Sequence, residues 1–230
     1  MKSIIVIGSG MGGLATGIYG QMCGFATTIF EAHDKPGGQC TSWDRKGYTF
    51  DACIHYLGVD GPSTKMEAFW REVGALPCEK IDVGACMSTV FPDGSSFNDY
   101  CDLKKLRSHL LELSPEDAVV IDEYAGGIER FQKKDTFGSL FLGSSREKLA
   151  ALPGFLGLLG YFKYTLDSFA SPLLQKSFPL LHYAAPDFPL VLHLLKHAIV
   201  LNGGIVWPKG GSLPVAKNMA ARYAQSGGET

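Results

Sequence analysis

The feature that most constrains this chain is a glycine turn set between a short apolar run and an amphipathic stretch near its start. Ile4-Ile5-Val6-Ile7 is apolar and β-branched throughout, the pattern of a central parallel strand buried on both faces. Gly8-Ser9-Gly10-Met11-Gly12-Gly13 follows at once and matches Gly-x-Gly-x-x-Gly at Gly8, Gly10 and Gly13. In such a turn the first glycine allows the sharp exit from the strand. The second lets a pyrophosphate approach the backbone, and the third lets helix and strand pack closely. Leu14, Ile18 and Met22 then recur on one helical face, so a helix is expected to open at the turn and point its positive end at the phosphates. A second strand, Thr27-Thr28-Ile29-Phe30, ends in Glu31, which stands 31 − 8 = 23 positions beyond Gly8. A carboxylate there accepts hydrogen bonds from adenosine ribose hydroxyls and repels a 2′-phosphate. Strand, turn, helix and acid together supply the context that the motif requires.

Composition narrows the rest. The chain has 230 residues, 46% of them apolar and 19% charged, with a net charge of −2. No basic excess points to nucleic acid. Six cysteines, at 23, 40, 53, 78, 86 and 101, include no Cys-x-x-Cys pair, and they read as reduced thiols of a cytoplasmic protein. The glycines after Ile7 break the continuous apolar core that a signal peptide needs. His193 and His197 stand four apart on an expected helix, but no Glu follows His193 and two His make no zinc site, so no metal is assigned. No Gly-x-Ser-x-Gly elbow supports hydrolase chemistry.

Past Glu31 the chain reads Ala32-His33-Asp34-Lys35-Pro36-Gly37-Gly38-Gln39-Cys40, then Gly47-Tyr48-Thr49-Phe50-Asp51, and near its end Trp207-Pro208-Lys209-Gly210-Gly211-Ser212. These segments resemble the amine oxidase-like flavoprotein superfamily, and within it the branch of phytoene desaturases, carotenoid isomerases and retinol saturases. The resemblance implies FAD as cofactor, held by Gly8, Ser9, Gly10, Met11, Gly12, Gly13, Glu31, Ala32, Gly37, Gly38 and Gln39. Gly37 and Gly38 would line the diphosphate and ribityl region. Gln39 stands where many relatives carry Arg, which weakens a phosphate contact there. His55, four residues after Asp51, is a further candidate to approach the flavin. The resemblance also implies that Gly210-Gly211 opens a helix returning to the nucleotide domain. Ser212 would be its N-cap, with Val215, Ala216, Met219 and Tyr223 as its apolar stripe.

The middle of the chain reads as scaffold. Pro92-Asp93-Gly94 divides a hairpin over Met87–Phe97. Asp102 can cap a helix carrying Leu103, Leu106, Leu110 and Leu113. Ser114-Pro115-Glu116-Asp117 opens another, with Val120, Tyr124, Ile128 and Phe131. From Leu149 to Val206 charges become rare. Phe155, Leu158, Leu159, Phe162, Leu166 and Phe169 follow a helical pattern. Leu190–Leu201 is a second apolar helix, and Pro172, Pro179, Pro186 and Pro189 cut the stretch into pieces too short to span a membrane. This stretch suits the helical cover of a hydrophobic substrate cavity, or a resting face on a membrane surface.

The fold expected is therefore α/β: a Rossmann-like FAD-binding βαβ unit over 1–60, an inserted mixed sheet and helical substrate-domain cap over 61–206, and a return helix over 207–230. In relatives, Gly-Gly-x and an apolar run begin the next sheet strand, so Gly227-Gly228-Glu229-Thr230 marks a chain expected to be truncated, with a C-terminal half as missing partner. The resemblance implies an FAD-dependent oxidoreductase that desaturates, saturates or isomerises an apolar polyene or lipid-like substrate. Its alternatives are a flavin amine oxidase and a non-enzymatic, dissociation-inhibitor-like binder of prenylated GTPases. No catalytic residue is assigned from the sequence.

Overall fold

The computed structural model describes residues 2–54, 56–59, 61, 64–76, 78–132, 143–180 and 189–229. His55, Pro186 and the side chain of Phe155 lie outside the described part. In chain order the elements begin with β1 (Ser3–Ile7), α1 (Met11–Met22), β2 (Ala26–Phe30), β3 (Ser42–Arg45), β4 (Tyr48–Asp51), β5 (Leu57–Gly58), α2 (Lys65–Glu72) and β6 (Lys80–Ile81). They continue with β7 (Ala85–Val90), β8 (Ser96–Tyr100), α3 (Leu103–Leu113), α4 (Ala118–Gln132), α5 (Ser145–Leu158), α6 (Pro172–Leu180), α7 (Leu190–Leu201), β9 (Ile205–Pro208) and α8 (Ser212–Gln225). They form two compact units, one of Met1–Val59, Lys65–Asp82 and Ile205–Thr230, the other of Asp60–Thr64 and Val83–Gly204.

In the first unit β1 and β2 pair in parallel, from Ser3 opposite Ala26 to Ile7 opposite Phe30, with α1 as the crossover. Leu14 and Ile18 of α1 pack with Ile29, Val73, Val215, Met219 and Tyr223. Met22, at the helix end, is exposed instead of continuing their stripe. The Tyr223 hydroxyl donates to the Thr27 carbonyl at 2.7 Å, which fixes α8 to β2. Phe69 and Trp70 of α2 pack on the same cluster, so residues 65–82 join the nucleotide unit although they fall inside the expected 61–206 segment. β5, β9 and β6 make a small antiparallel sheet with β9 central, and β3 and β4 a hairpin. At the far end of the chain Ile29 N–H donates to the Glu229 carbonyl at 2.9 Å, a parallel bridge on the edge of β2 away from β1.

The expectation that Ile4–Ile7 is buried on both faces needs correction. Ile5 and Ile7 are 67% and 82% exposed. Alternate residues of a strand face opposite sides. Val6 packs on the α1 cluster, and the other side of the sheet carries no layer among the described residues.

The second unit is built on the β7–β8 hairpin and α3–α7. Phe97, Leu106, Leu110, Ile121, Tyr124, Ile128, Phe178 and Leu194 belong to one buried cluster. Asp102 caps α3, accepting from Lys105 N–H at 2.8 Å. Asp117 does more than favour the positive end of α4: its carboxylate accepts from Ala170 N–H at 2.6 Å and Ser171 N–H at 3.1 Å, at the start of α6. The helical pattern from Phe155 to Phe169 does not form one helix. α5 ends at Leu158, a 3₁₀ turn takes Leu159–Tyr161 and another Leu166–Ser168, leaving Leu159 and Phe162 exposed while Leu158, Leu166 and Phe169 are buried. Among the described residues no helix is long and apolar enough to cross a membrane.

Candidate dinucleotide site

The site begins where β1 ends. Gly8 takes φ +91° and its N–H donates to the Phe30 carbonyl at 2.7 Å, so the turn stays tied to β2. A methyl group at Gly13 would fall on the Gly8 carbonyl oxygen, which is why α1 needs glycine where it leaves the turn. Gly10 and Gly12 differ. A methyl group at either meets no protein atom within 4 Å, so packing inside this chain does not demand glycine there. Space kept open at the mouth of a helix suits a ligand. Gly10 occupies the N-cap of α1 and no side chain caps that end, which leaves its first N–H groups for an anion.

Glu31 stands directly on this turn. Its Oε2 accepts from Ser9 N–H at 2.6 Å and from the Ser9 hydroxyl at 2.7 Å, and its Oε1 from His33 N–H at 2.9 Å. The Ser9 hydroxyl and then the Ser9 and His33 N–H groups hold the carboxyl down to a pKa of about 2, with Ala32 N–H adding a smaller pull. The group is therefore a carboxylate at any physiological pH. The carboxylate oxygens have acceptor capacity that a ribose hydroxyl can share, most directly by taking over the Ser9 hydroxyl's place.

The second glycine pair comes to the first. Gly37 N–H donates to the Ser9 carbonyl at 2.8 Å and Gly37 bridges Gly10. Gly37 has φ +114°, and a methyl group there would lie 2.5 Å from the Cys40 carbonyl oxygen, so both conformation and space require glycine. A methyl group at Gly38 would stand 3.3 Å from the Gly10 Cα. Gly12, Ala32, Gly38 and Gln39 are exposed around this seam, Met11 is half-buried, and Ser9 is buried.

Ser212 is not the N-cap of α8. Gly211 takes that place, with φ +78°, and Ser212 is the first helical residue. Its N–H donates to Asp51 Oδ1 at 2.8 Å and its hydroxyl donates to the same oxygen. A methyl group at Gly211 would collide with the Asp51 carboxylate. The Phe50-Asp51 pair and the Gly210-Gly211 turn thus meet, and Asp51 supplies from 161 residues away the cap expected of a neighbour. Nothing local in either segment signals that they meet.

Residues 6–73 match the family model of the NAD(P)-binding Rossmann-like domain. Over 99% of its length the chain is 29% identical to a phytoene desaturase (lycopene-forming) of a Paracoccus species, covering 47% of that protein. It is 26% identical to the 4,4'-diapophytoene desaturase (4,4'-diapolycopene-forming) of a Methylomonas species, over 99% of the chain and 46% of the relative. It is 27% identical to the all-trans-retinol 13,14-reductase of Macaca fascicularis, over 98% of the chain and 40% of the relative. The chain is phytoene desaturase-like over its whole length. It spans about half the length of the curated relatives it matches. Among solved structures, an oxidoreductase of Methanosarcina mazei is similar at TM-score 0.56 and 20% identity, over 100% of this chain and 50% of that one. A RAB GDI of Plasmodium falciparum is similar at TM-score 0.54 and 10% identity, over 98% and 56%. At these identities the structures speak for the fold alone. Fold and relatives together support a dinucleotide cofactor, flavin or nicotinamide, in a desaturase-like chain.

Proposed function

We propose that this chain supplies the adenosine-diphosphate grip of an FAD-dependent oxidoreductase that desaturates, saturates or isomerises C=C bonds in an apolar polyene. The observation that carries the reading is the joining of two glycine pairs at one carboxylate: Gly37 on Gly10, and Glu31 on Ser9. α1 offers N–H groups to the diphosphate, Glu31 takes the ribose hydroxyls, and Gly37-Gly38 leaves the path beyond the diphosphate clear. A flavin bound there supplies the hydride transfer. Glu31 disfavours a 2′-phosphate, which turns the site from NADP. The names of the relatives, phytoene desaturase and retinol reductase, support a polyene substrate.

In the second unit Tyr124, Tyr161, Tyr164, Leu190, Val191 and Leu194 meet in an apolar seam with no room for even a water-sized molecule, so the seam as it stands houses no polyene. The same unit carries an exposed apolar strip that supports a membrane-resting reading. Leu149, Leu152, Leu156, Leu159 and Phe162 are 45–70% exposed on and just after α5, with Arg146 and Lys148 at its start and Lys163 at its end. Apolar residues flanked by cations suit an anionic bilayer through which a lipid-soluble substrate arrives.

Purified chain titrated with FAD tests the first reading: a saturable change in flavin fluorescence, insensitive to NADP, is expected. Absence of flavin binding at any concentration overturns it and leaves the non-enzymatic binder. Flotation with anionic vesicles tests the second, and a chain left at the bottom of the gradient contradicts the α5 surface.

A further inference from the structure

We propose that Cys86 and Cys101 form a dithiol–disulfide site, oxidised by small disulfides of the glutathione class, that joins β7 covalently to β8. The two sulfurs lie 2.8 Å apart in the half-buried end of the hairpin. Bond formation needs a further approach of only about 0.8 Å. The backbone explains the meeting. The antiparallel register slips between Ala85 and Met87, so Cys86 has no partner directly opposite, and Cys101 follows Tyr100, the last residue of β8. Cys101 N–H donates to the Gly84 carbonyl at 3.1 Å, which holds the strand ends together while the sulfurs face each other.

The chemistry balances. A thiolate of the pair attacks one sulfur of R–S–S–R and expels RS⁻. The second cysteine then attacks the mixed disulfide and expels the other RS⁻. The pair loses two electrons and two protons, and the small disulfide becomes two RSH. The surroundings set the pace. The Cys86 thiol is pushed far above its usual range by its hydrogen bond with Cys101, then by burial and by the Asp99 carboxylate, while Lys196 acts in the opposite sense. Exchange is therefore slow near neutrality and quickens as the solution is made alkaline. The disulfide closes a 15-residue loop and so restrains the unfolded chain.

A second near pair makes mapping necessary: burial, and then Cys53, push the Cys40 thiol up to about 11. The whole chain is equilibrated in glutathione buffers from reducing to oxidising, its thiols are trapped with iodoacetamide in denaturant, and its peptides are mapped by mass. The expected result is a Cys86–Cys101 cross-linked peptide replacing the two alkylated ones, formed faster at pH 9 than at pH 7. The oxidised chain should melt roughly 5 °C or more higher. Cys86→Ser and Cys101→Ser should each abolish both effects, and the mapping of the unsubstituted chain decides alone should either variant fail to fold. The proposal is overturned if both cysteines are alkylated at every buffer ratio. It is equally overturned if oxidation joins Cys40 to Cys53, or separate chains, while Cys86 and Cys101 stay thiols.

Discussion

In the second unit Phe97, Leu106, Ile121, Tyr124, Phe178 and Leu194 close on one another, whereas in the first the parallel strands leave Ile5, Ile7 and Phe30 in the open. Their polar groups divide the other way. The second unit buries Asp99 completely and answers it internally: His197 Nε2 lies 2.8 Å from Asp99 Oδ1, Lys196 Nζ 3.2 Å from Asp99 Oδ2, and His197 Nδ1 meets the Tyr124 hydroxyl at 3.1 Å. The first unit keeps uncapped helix N–H groups and a carboxylate at its surface. A unit that sets its buried charges against one another is built as a scaffold. A unit with an uncapped helix end and an exposed apolar sheet face presents one surface suited to an anion and another suited to apolar contact.

The sharpest way to break this contrast is Asp99→Asn. It leaves the half-buried Lys196 without its counter-charge inside the core, a loss of about 3 kcal/mol. Urea unfolding followed by amide exchange across α7 should show the second unit melting first. A wild-type midpoint would mean that the network is ornamental. The pH dependence has a definite sign. Burial alone would raise the Asp99 carboxyl, but the charges of His197 and then Lys196 more than offset it, so the folded value lies below the usual range. The stabilisation is complete above the unfolded carboxyl's value of about 3.9 and disappears as pH falls through the folded one. Acid denaturation of Asp99→Asn should accordingly be shallower below about pH 4.

Gly13→Ala probes the open unit. The added methyl has nowhere to go but the Gly8 carbonyl, so helix and strand must part. Overpacking of this kind costs about 1–3 kcal/mol. FAD binding should vanish with it, while amide exchange in α4 and α7 stays as in the wild type. Simultaneous loosening of both units would show that they do not fold separately.

How much of this was legible in advance depended on how local the signal was. The βαβ unit was readable because turn, helix and acid all lie within Gly8–Glu31, and each has a local physical requirement. A serine before an apolar stripe looks like its own cap, and nothing local reveals that the acceptor for Ser212 lies 161 residues away on Asp51. An all-apolar strand such as Ile4–Ile7 shows that both faces suit burial, not that both are covered, so the exposure of Ile5 and Ile7 is not legible in it. The four-residue spacing of His193 and His197 raises only the question of metal ligation. Their fates diverge: His197 pairs with Asp99, a residue that its helix does not reveal, and His193 stands edge-on to the Phe178 ring at 5.3 Å.

Glu31→Ala sharpens the contrast from the cofactor side. It removes charged acceptors from the ribose and from Ser9, and should weaken FAD about tenfold or more without moving the urea midpoint of the second unit. Because the folded carboxyl titrates near 2, the wild-type affinity should hold as pH falls to about 4 and decline only below that. Unchanged affinity in the variant would detach Glu31 from the ribose.

The smallest effect expected tests whether the closed unit has an open side of its own. α5 begins at a capping box, in which the Ser144 hydroxyl and N–H both engage the Glu147 carboxylate, at 2.6 and 2.7 Å. Leu158 ties the far end of that helix to the core, while Leu149, Leu152 and Leu156 face outward. Ser144→Ala should cost about 1 kcal/mol, felt as fraying of the first turn rather than as global unfolding. If α5 lies on a bilayer, vesicles should restore most of the lost amide protection, because the apolar face would then be buried by lipid instead of by the cap's geometry. Equal fraying with and without vesicles would make the α5 face an ordinary exposed surface, and the second unit would then be closed in every respect in which the first is open.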